Sequence, residues 1–294
     1  MKFILSCCSP VDLTSEHLKN KNVPYLPFHY MIGNQELIDD LGTTLSYDEF
    51  YQAMVDGADT KTMQVNIEEY TEYFNGLLNG GLPILHLTLS SGLSGTYNSA
   101  VVAAQAINEE YGKQMVYIVD SLGASSGYGL LVDKLVSLRD NDIDIESAYA
   151  WAQENKLRVH HWFYSTDLTF FVRGGRVSKV SGFVGTLLKI CPLLNVSNEG
   201  KLIPRQKVVG KRATAKACLD KMVQFADNGI AYDDSVFISH SHCYDDAIYL
   251  KNLIEEKFPA VRGKILINDI GSTIGCHAGP GTVALFFWGK ARND

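Results

Sequence analysis

Short apolar runs alternate with amphipathic stretches along most of the chain. Phe3–Ser6, Ile84–Leu89, Val116–Asp120, Trp162–Ser165, Val236–Ser239, Ile265–Ile270 and Val283–Phe287 are brief, mainly apolar segments, and each predicts a strand. Between them, apolar residues return every three to four positions. Tyr70, Phe74, Leu77 and Leu78 form one such stripe, and Ile145, Ala148, Trp151 and Ala152 another. Leu219, Met222, Val223 and Phe225 form a third, and Ala247, Leu250, Leu253 and Ile254 a fourth. That spacing puts each set on one face of a helix, as core rather than as a cofactor contact. Strands alternating with helices are the signature of an α/β protein. No low-complexity linker or short repeat divides the chain. The best boundary falls near Lys156–His160, after one α/β unit closes and before the Trp162 strand opens another. The expected units are therefore residues 1–158 and 159–294.

Composition narrows the function. The 294 residues are 46% hydrophobic and 20% charged, an ordinary globular balance. A formal net charge of −7 argues against a protein that grips a nucleic-acid backbone, which needs a basic excess. No run reaches the roughly 18–20 apolar residues of a membrane span. The opening MKFILSCCSP has one lysine and only three consecutive apolar residues, where a secretory core needs about 7–15. It reads as a first strand, so a cytoplasmic location is expected. Cys7, Cys8, Cys191, Cys218, Cys243 and Cys276 show no CxxC pair, consistent with reduced thiols.

The chemistry concentrates where strands run into small residues. Leu87–Ala100 reads LTLSSGLSGTYNSA: an apolar strand, then Ser90–Thr96, then a helical run. Glycine lets the backbone approach a ligand, and the first N–H groups of a helix lack internal partners. With the helix dipole and a serine hydroxyl they form an anion site; the same residues would equally serve as a plain helix cap. Ile118–Gly127 and Ile265–Gly281 repeat the strand-to-small-residue design, and open α/β sheets bind ligands beyond the carboxyl ends of their strands. His277 lies among small residues in an expected loop, which favours a polar role. Thr60–Gln64 offers further hydroxyls at another apparent loop. A nucleotide phosphate is disfavoured as the anion: there is no GxxxxGK[ST], and Gly127-Tyr128-Gly129 lacks the third glycine of GxGxxG.

Motifs spread over most of the chain carry a resemblance. They are Ser91–Ala100 (SGLSGTYNSA), Asp120-Ser121, Asp167-Leu168 with Arg173–Ser178 (RGGRVS), Gly200–Pro204 with Lys207-Val208, and Ile274–Gly281 (IGCHAGPG). In this order they resemble the DegV family of bacterial fatty-acid-binding proteins, which supply acyl chains to a separate, dihydroxyacetone-kinase-like fatty acid kinase. The resemblance covers about residues 3–288 as one DegV unit. It implies two α/β domains with a fatty-acid tunnel at their interface, no cofactor, no metal and no catalysis by the chain itself. The bound molecule would be a long-chain fatty acid such as hexadecanoate, with peripheral membrane contact for lipid exchange. Its carboxylate-binding residues fall on Thr62, Ser94 and His277, with Ser91 and Gly95 as secondary loop contacts. Arg173 and Arg176 fall near the kinase-docking surface. A carboxylate accepts up to about four hydrogen bonds, so two hydroxyls, a helix N-terminus and an imidazole N–H could saturate it. The chain departs from the family where Ser6–Leu13 reads SCCSPVDL, where Thr62–Val65 reads TMQV, and where Val208–Gly210 reads VVG.

Two other readings use overlapping residues. A serine hydrolase of acyl esters would take Ser94 as nucleophile, His277 as base and a carboxylate such as Asp120 as orienter. However, Gly92-Leu93-Ser94-Gly95 is one residue short of the GxSxG elbow. His240 and His242 share a strand face, with Cys243 adjacent, but a zinc site usually needs three or four convergent ligands.

Overall fold

The computed structural model describes residues 2–178 and 190–293. The first sheet has strand order β2-β1-β6-β7 and is parallel throughout. Its strands are β1 (Ile4–Cys8), β2 (Tyr25–Leu26), β6 (Ile84–Thr88) and β7 (Val116–Asp120). Every residue of β6 and β7 is buried, which suits a parallel sheet covered on both faces. Its helices are α1 (Ser15–Asn20), α3 (Ile67–Leu78), α4 (Thr96–Tyr111), α5 (Ser126–Asp140) and α6 (Ile145–Asn155). The predicted stripe of α3 is the core face: Tyr70, Phe74 and Leu78 are buried. Asn66 and Glu69 start that helix with a reciprocal capping box.

The second sheet is mixed, with order β10-β9-β8-β13-β11-β12. It comprises β8 (Val159–Ser165), β9 (Ile190–Val196), β10 (Leu202–Val209), β11 (Val236–His240), β12 (Ile265–Asp269) and β13 (Thr282–Trp288). All its pairs are antiparallel except β11 with β12. Helices α8 (Lys211–Phe225) and α9 (Tyr244–Lys257) belong to this part of the chain, as do α7 (Thr169–Arg173) and α10 (Ser272–Ala278). Neither β9 nor β10 was expected, because Pro192 and Pro204 obscure the strand pattern. The β10 register shifts between Pro204 and Gln206, on an edge strand, where a missing N–H is tolerated.

Helix α5 joins the two sheets. It packs against β1 of the first and against β8, β11 and β13 of the second. A helix covered on both sides must be apolar nearly all round, and Tyr128, Leu130, Leu131, Val132, Leu135 and Val136 are all buried. Each is worth about 1.5–3 kcal/mol of burial for a large aliphatic side chain. The glycines that looked like a broken nucleotide fingerprint serve this packing. A Cβ on Gly127 would lie 2.2 Å from His161 Nε2, and one on Gly129 would lie 3.1 Å from Leu13.

A small lobe interrupts the first unit. It contains the antiparallel sheet β4-β3-β5, made of β3 (His29–Ile32), β4 (Gln35–Ile38) and β5 (Thr60–Met63), together with α2 (Tyr47–Val55). The lobe's Tyr30, Phe50, Tyr51 and Met54 form an apolar cluster with Cys276 of α10. Two expectations change here. The sequence pattern of Thr60–Gln64 predicts a loop, but Thr60–Met63 is a strand. His277 was read as a loop residue, but it ends a short helix. In both cases the local signal is weak and long-range packing decides: β5 pairs with β3, and Gly275 of α10 lies against Phe50 and Tyr51.

Candidate functional site

One cavity of about 230 Å³ lies between the lobe, the α4 loop and the second sheet. Its walls are mainly carbon: Phe28, Leu89, Leu93, Phe163, Phe171, Val196, Leu202, Ile270, Ile274 and Phe286 contribute. Polar groups gather where Thr62, Gln64, Ser94, Arg176 and His277 reach the lining. Gln64, in this polar group, is exposed.

Thr62 comes from β5, where register with Tyr30 of β3 holds it. Its Oγ1 lies 2.8 Å from His277 Nε2. On the other side of the imidazole, Arg176 Nη1 faces Nδ1 at 3.5 Å. A guanidinium only donates, so Nδ1 presents its lone pair and Nε2 carries the hydrogen that Thr62 Oγ1 accepts. The hydroxyl hydrogen of Thr62 is thereby left for a ligand. Burial, reinforced by the charges of Arg176 and Arg173, lowers the His277 pKa to about 4, so the ring is neutral at pH 7.

Ser94 reaches the same cavity from the turn between β6 and α4. Ser94 N–H donates to Ser90 O at 3.1 Å, and Leu93 N–H to the same oxygen at 3.0 Å, which closes the turn. Thr96 N–H donates to Ser94 Oγ at 3.3 Å, so this hydroxyl too has its oxygen engaged and its hydrogen free. Buried Thr96 is tied in turn to Tyr70 Oη at 2.7 Å. Gly92 is required for close approach: a Cβ there would lie 2.6 Å from Glu199 O.

The other predicted positions fall around this centre. Ser91 is exposed, and its N–H donates to Asp120 Oδ1 at 3.1 Å. Gly95 caps α4 and sits against the Gln64 carboxamide, 2.7 Å from a notional Cβ. Arg173 is exposed and paired with Asp59 at 3.0 Å, its guanidinium over the Phe170 ring. Arg176 is half-buried on the cavity wall and donates twice to Leu93 O, at 3.2 and 3.1 Å. It therefore bridges the Ser94 turn and His277. Gly174 packs so closely that a Cβ would lie 2.2 Å from His277 Nδ1, which accounts for one glycine of RGGR.

The hydrolase arrangement does not form. His277 Nε2 bonds to Thr62, its Nδ1 faces a cation, and Asp120 Oδ1 accepts backbone N–H groups of Ser91 and Leu122. A GxSxG sequence does exist elsewhere and was missed: Gly123-Ala124-Ser125-Ser126-Gly127, between β7 and α5. Ser125 has φ 56° and ψ −156°, a strained conformation, and lines the cavity. Its hydroxyl donates to Ser239 Oγ at 3.2 Å rather than to an imidazole. Gln64 and Arg176 also reach the cavity beside Thr62, Ser94 and His277; the sequence assigned Arg176 to docking and gave Gln64 no role. His240 and His242 face Asp269 and Asp48 at 3.5 and 3.4 Å. Among the described residues no group of three or more His, Cys, Asp or Glu is placed to hold a metal, and no helix is long and apolar enough to cross a membrane.

The chain thus has an α/β fold enclosing a mainly apolar cavity with a cluster of polar groups in its lining, and the comparisons place it in a family. The sequence model of the DegV family, described as an uncharacterised protein family, matches residues 9–290, and the chain belongs to that family. It is 35% identical, over 99% of both chains, to a DegV domain-containing protein of Clostridium perfringens. It is 33% identical, over 96% of each, to a fatty acid-binding protein of Thermotoga maritima. Its fold matches the crystal structure of a DegV lipid-binding protein of Thermotoga maritima with a TM-score of 0.85, at 27% identity and full coverage of both chains. The Fatty Acid Kinase (Fak) B3 protein of Streptococcus pneumoniae, crystallised with linoleic acid, shares the fold with a TM-score of 0.83 at 23% identity, over 98% of this chain and 99% of that one.

Proposed function

We propose that this chain binds a long-chain fatty acid, for example hexadecanoate, and presents its carboxylate to a partner fatty acid kinase for acyl phosphate formation, without catalysing a reaction itself. The observation that carries the reading is the Thr62–His277 hydrogen bond beside Ser94 at the polar end of an apolar cavity. Two hydroxyls with engaged oxygens and free hydrogens match an acceptor-only carboxylate. Without such donors, burying that charge would cost several kcal/mol. The cavity argues for an occupant on its own account. Its mainly carbon walls would be shielded from water by an apolar chain, at about 25 cal/mol per Å² of apolar surface covered. A 16-carbon tail offers roughly 11–12 kcal/mol of gross burial to set against ordering costs.

In this reading Thr62 and Ser94 donate to the carboxylate, His277 belongs to the headgroup site by turning the Thr62 hydroxyl hydrogen toward it, and Ser91 and Gly95 shape the loop behind it. Residues 1–158 form the N-terminal α/β domain, which carries Thr62 and Ser94. Residues 159–294 form the domain that closes the acyl tunnel; positions 179–189 within it lie outside the described residues. The partner is a dihydroxyacetone-kinase-like kinase in the cytoplasm, docking against exposed Arg173 and against Arg176 at the mouth. Peripheral contact with a membrane allows lipid exchange. Organic-solvent extraction of the purified protein, followed by mass spectrometry, tests the core of the reading. A long-chain fatty acid near one equivalent supports it, and a protein that neither carries nor takes up such an acid rejects it.

A further inference from the structure

Asp39 has no part in the headgroup contacts, yet it is 1% exposed and follows the end of β4 in the lobe. Its Oδ2 accepts hydrogen bonds from Ser9 Oγ at 3.1 Å, from Thr273 N–H at 3.3 Å, and from Thr273 Oγ1. Ser9 Oγ in turn accepts from Phe28 N–H at 3.0 Å, which anchors the carboxylate to the loop after β1. A buried carboxylate with three such donors forms directional, charge-assisted bonds. Burial nonetheless pushes its carboxyl above the usual carboxylate range.

Thr273 is the second residue of α10, and His277 follows four residues later on the same helix face. A seven-residue helix has little stability of its own and takes its position from its neighbours. Most of those neighbours are apolar. The Phe50 and Tyr51 rings lie against Gly275, and Cys276 packs into the lobe cluster. Apolar packing is non-directional and resists separation more than sliding. The directional ties besides the Thr62–His277 bond itself include Tyr51 Oη to Ile270 O at 2.7 Å, just before the helix, Cys276 Sγ to Lys61 O at 3.8 Å, and Asp39 to Thr273, which alone of these brings a carboxylate. Asp39 and Thr62 belong to one lobe, so the register of α10 on that lobe sets how His277 meets Thr62.

We infer that Asp39 is a positioning residue for the headgroup site: by holding Thr273 it fixes α10 on the lobe, and with it the His277–Thr62 hydrogen bond. The ligand consequence rests on the fatty-acid reading; the effect on the imidazole does not. The test uses the full-length protein as wild type, Asp39→Asn, which keeps an acceptor, Asp39→Leu, which removes it, and Thr273→Val, which removes one donor should Asp39→Leu fold poorly. Imidazole 15N shifts of His277 should report one Nε2–H tautomer in wild type and Asp39→Asn. Asp39→Leu and Thr273→Val should instead give averaged shifts. Hexadecanoate affinity should fall about tenfold in Asp39→Leu, the scale of one charge-assisted hydrogen bond, with hexadecanol affinity changed less than about twofold. An unchanged His277 signature in Thr273→Val and in any folded Asp39→Leu overturns the inference, as does an equal loss of acid and alcohol. Wild-type protein that binds no hexadecanoate rejects the carrier reading, while the imidazole shifts still decide the role of Asp39.

Discussion

Ser94 and Thr62 offer the same functional group to the same cavity and are held in opposite ways. Ser94 sits on a turn between a strand and a helix, and the groups that orient it, Ser90 and Thr96, are within four residues. Thr62 sits on a short antiparallel strand, and the group that orients it, His277, is 215 positions away. His277 in turn depends on Gly174, Arg176 and the lobe. One donor is built by local chain geometry and the other by assembly of three distant segments. The local donor, whose turn is tied to distant segments only through Arg176 on Leu93 O and through Ser90 and Gly92 against Glu199–Gly200, should therefore tolerate damage elsewhere better than the assembled one.

The strongest break should come at the assembly point. Gly174→Ala places a Cβ 2.2 Å from His277 Nδ1 and must displace the ring. We expect about 2–3 kcal/mol of lost stability, read by denaturant unfolding, together with loss of co-purified lipid. A variant of wild-type stability with full lipid content would show that the imidazole position is not constrained by this glycine. Next comes Thr62→Ala, which removes a hydroxyl and leaves the His277 Nε2–H unpaired; carboxylate affinity should fall by about 2–3 kcal/mol, measured by displacement of a fluorescent fatty acid. Ser94→Ala should cost less, about 1.5 kcal/mol in the same assay, because the donor it strips of its acceptor, Thr96 N–H, is held at 3.3 Å, against 2.8 Å for His277 Nε2 on Thr62. If Ser94→Ala proved the more damaging, the contrast between the two donors would be reversed.

The smallest effect sharpens the electrostatics. With its pKa lowered to about 4, His277 in the lipid-free protein should stay neutral as pH falls from 8 to about 5 and protonate below that. The unfolded chain binds this proton near the ordinary value of about 6.5, so stability from this group is intact above pH 6.5 and declines between there and about 4. Arg176→Gln removes a nearby positive charge and should move the His277 midpoint upward. It should not restore the ordinary value, because burial is the larger cause. An NMR titration of the imidazole checks both; a downward shift in Arg176→Gln would contradict the placement of that guanidinium against Nδ1.

The legibility of the chain follows the same division. The seven predicted strands are all present within a few residues at each end, and the four apolar stripes lie on α3, α6, α8 and α9. Those elements carry strong periodicity because each buries one face or both. The lobe was unreadable: Gln35–Ile38 and Thr60–Met63 are short, mostly polar and half-exposed, and become strands only by pairing with β3. Thr62 could be assigned by resemblance alone, since its own neighbourhood looked like a capped loop. Gln64 lay in the segment the resemblance picked out but had no role of its own, and Asp39 carried no local signal at all. The strained Ser125 did carry one, the GxSxG spacing of Gly123–Gly127.

What the linear order determined by itself was the α/β class, the identity of the helix faces, and the strand–turn–helix that presents Ser94. These are properties of periodicity and of short-range backbone geometry, which neighbours in the chain supply. What only the tertiary structure decided was that α5 joins two sheets, that a polar strand from the lobe meets the end of a seven-residue helix, and that Arg176 stands behind the imidazole. Those contacts depend on shape and on paired donors and acceptors between segments far apart in the chain, and no local pattern encodes a distance between them.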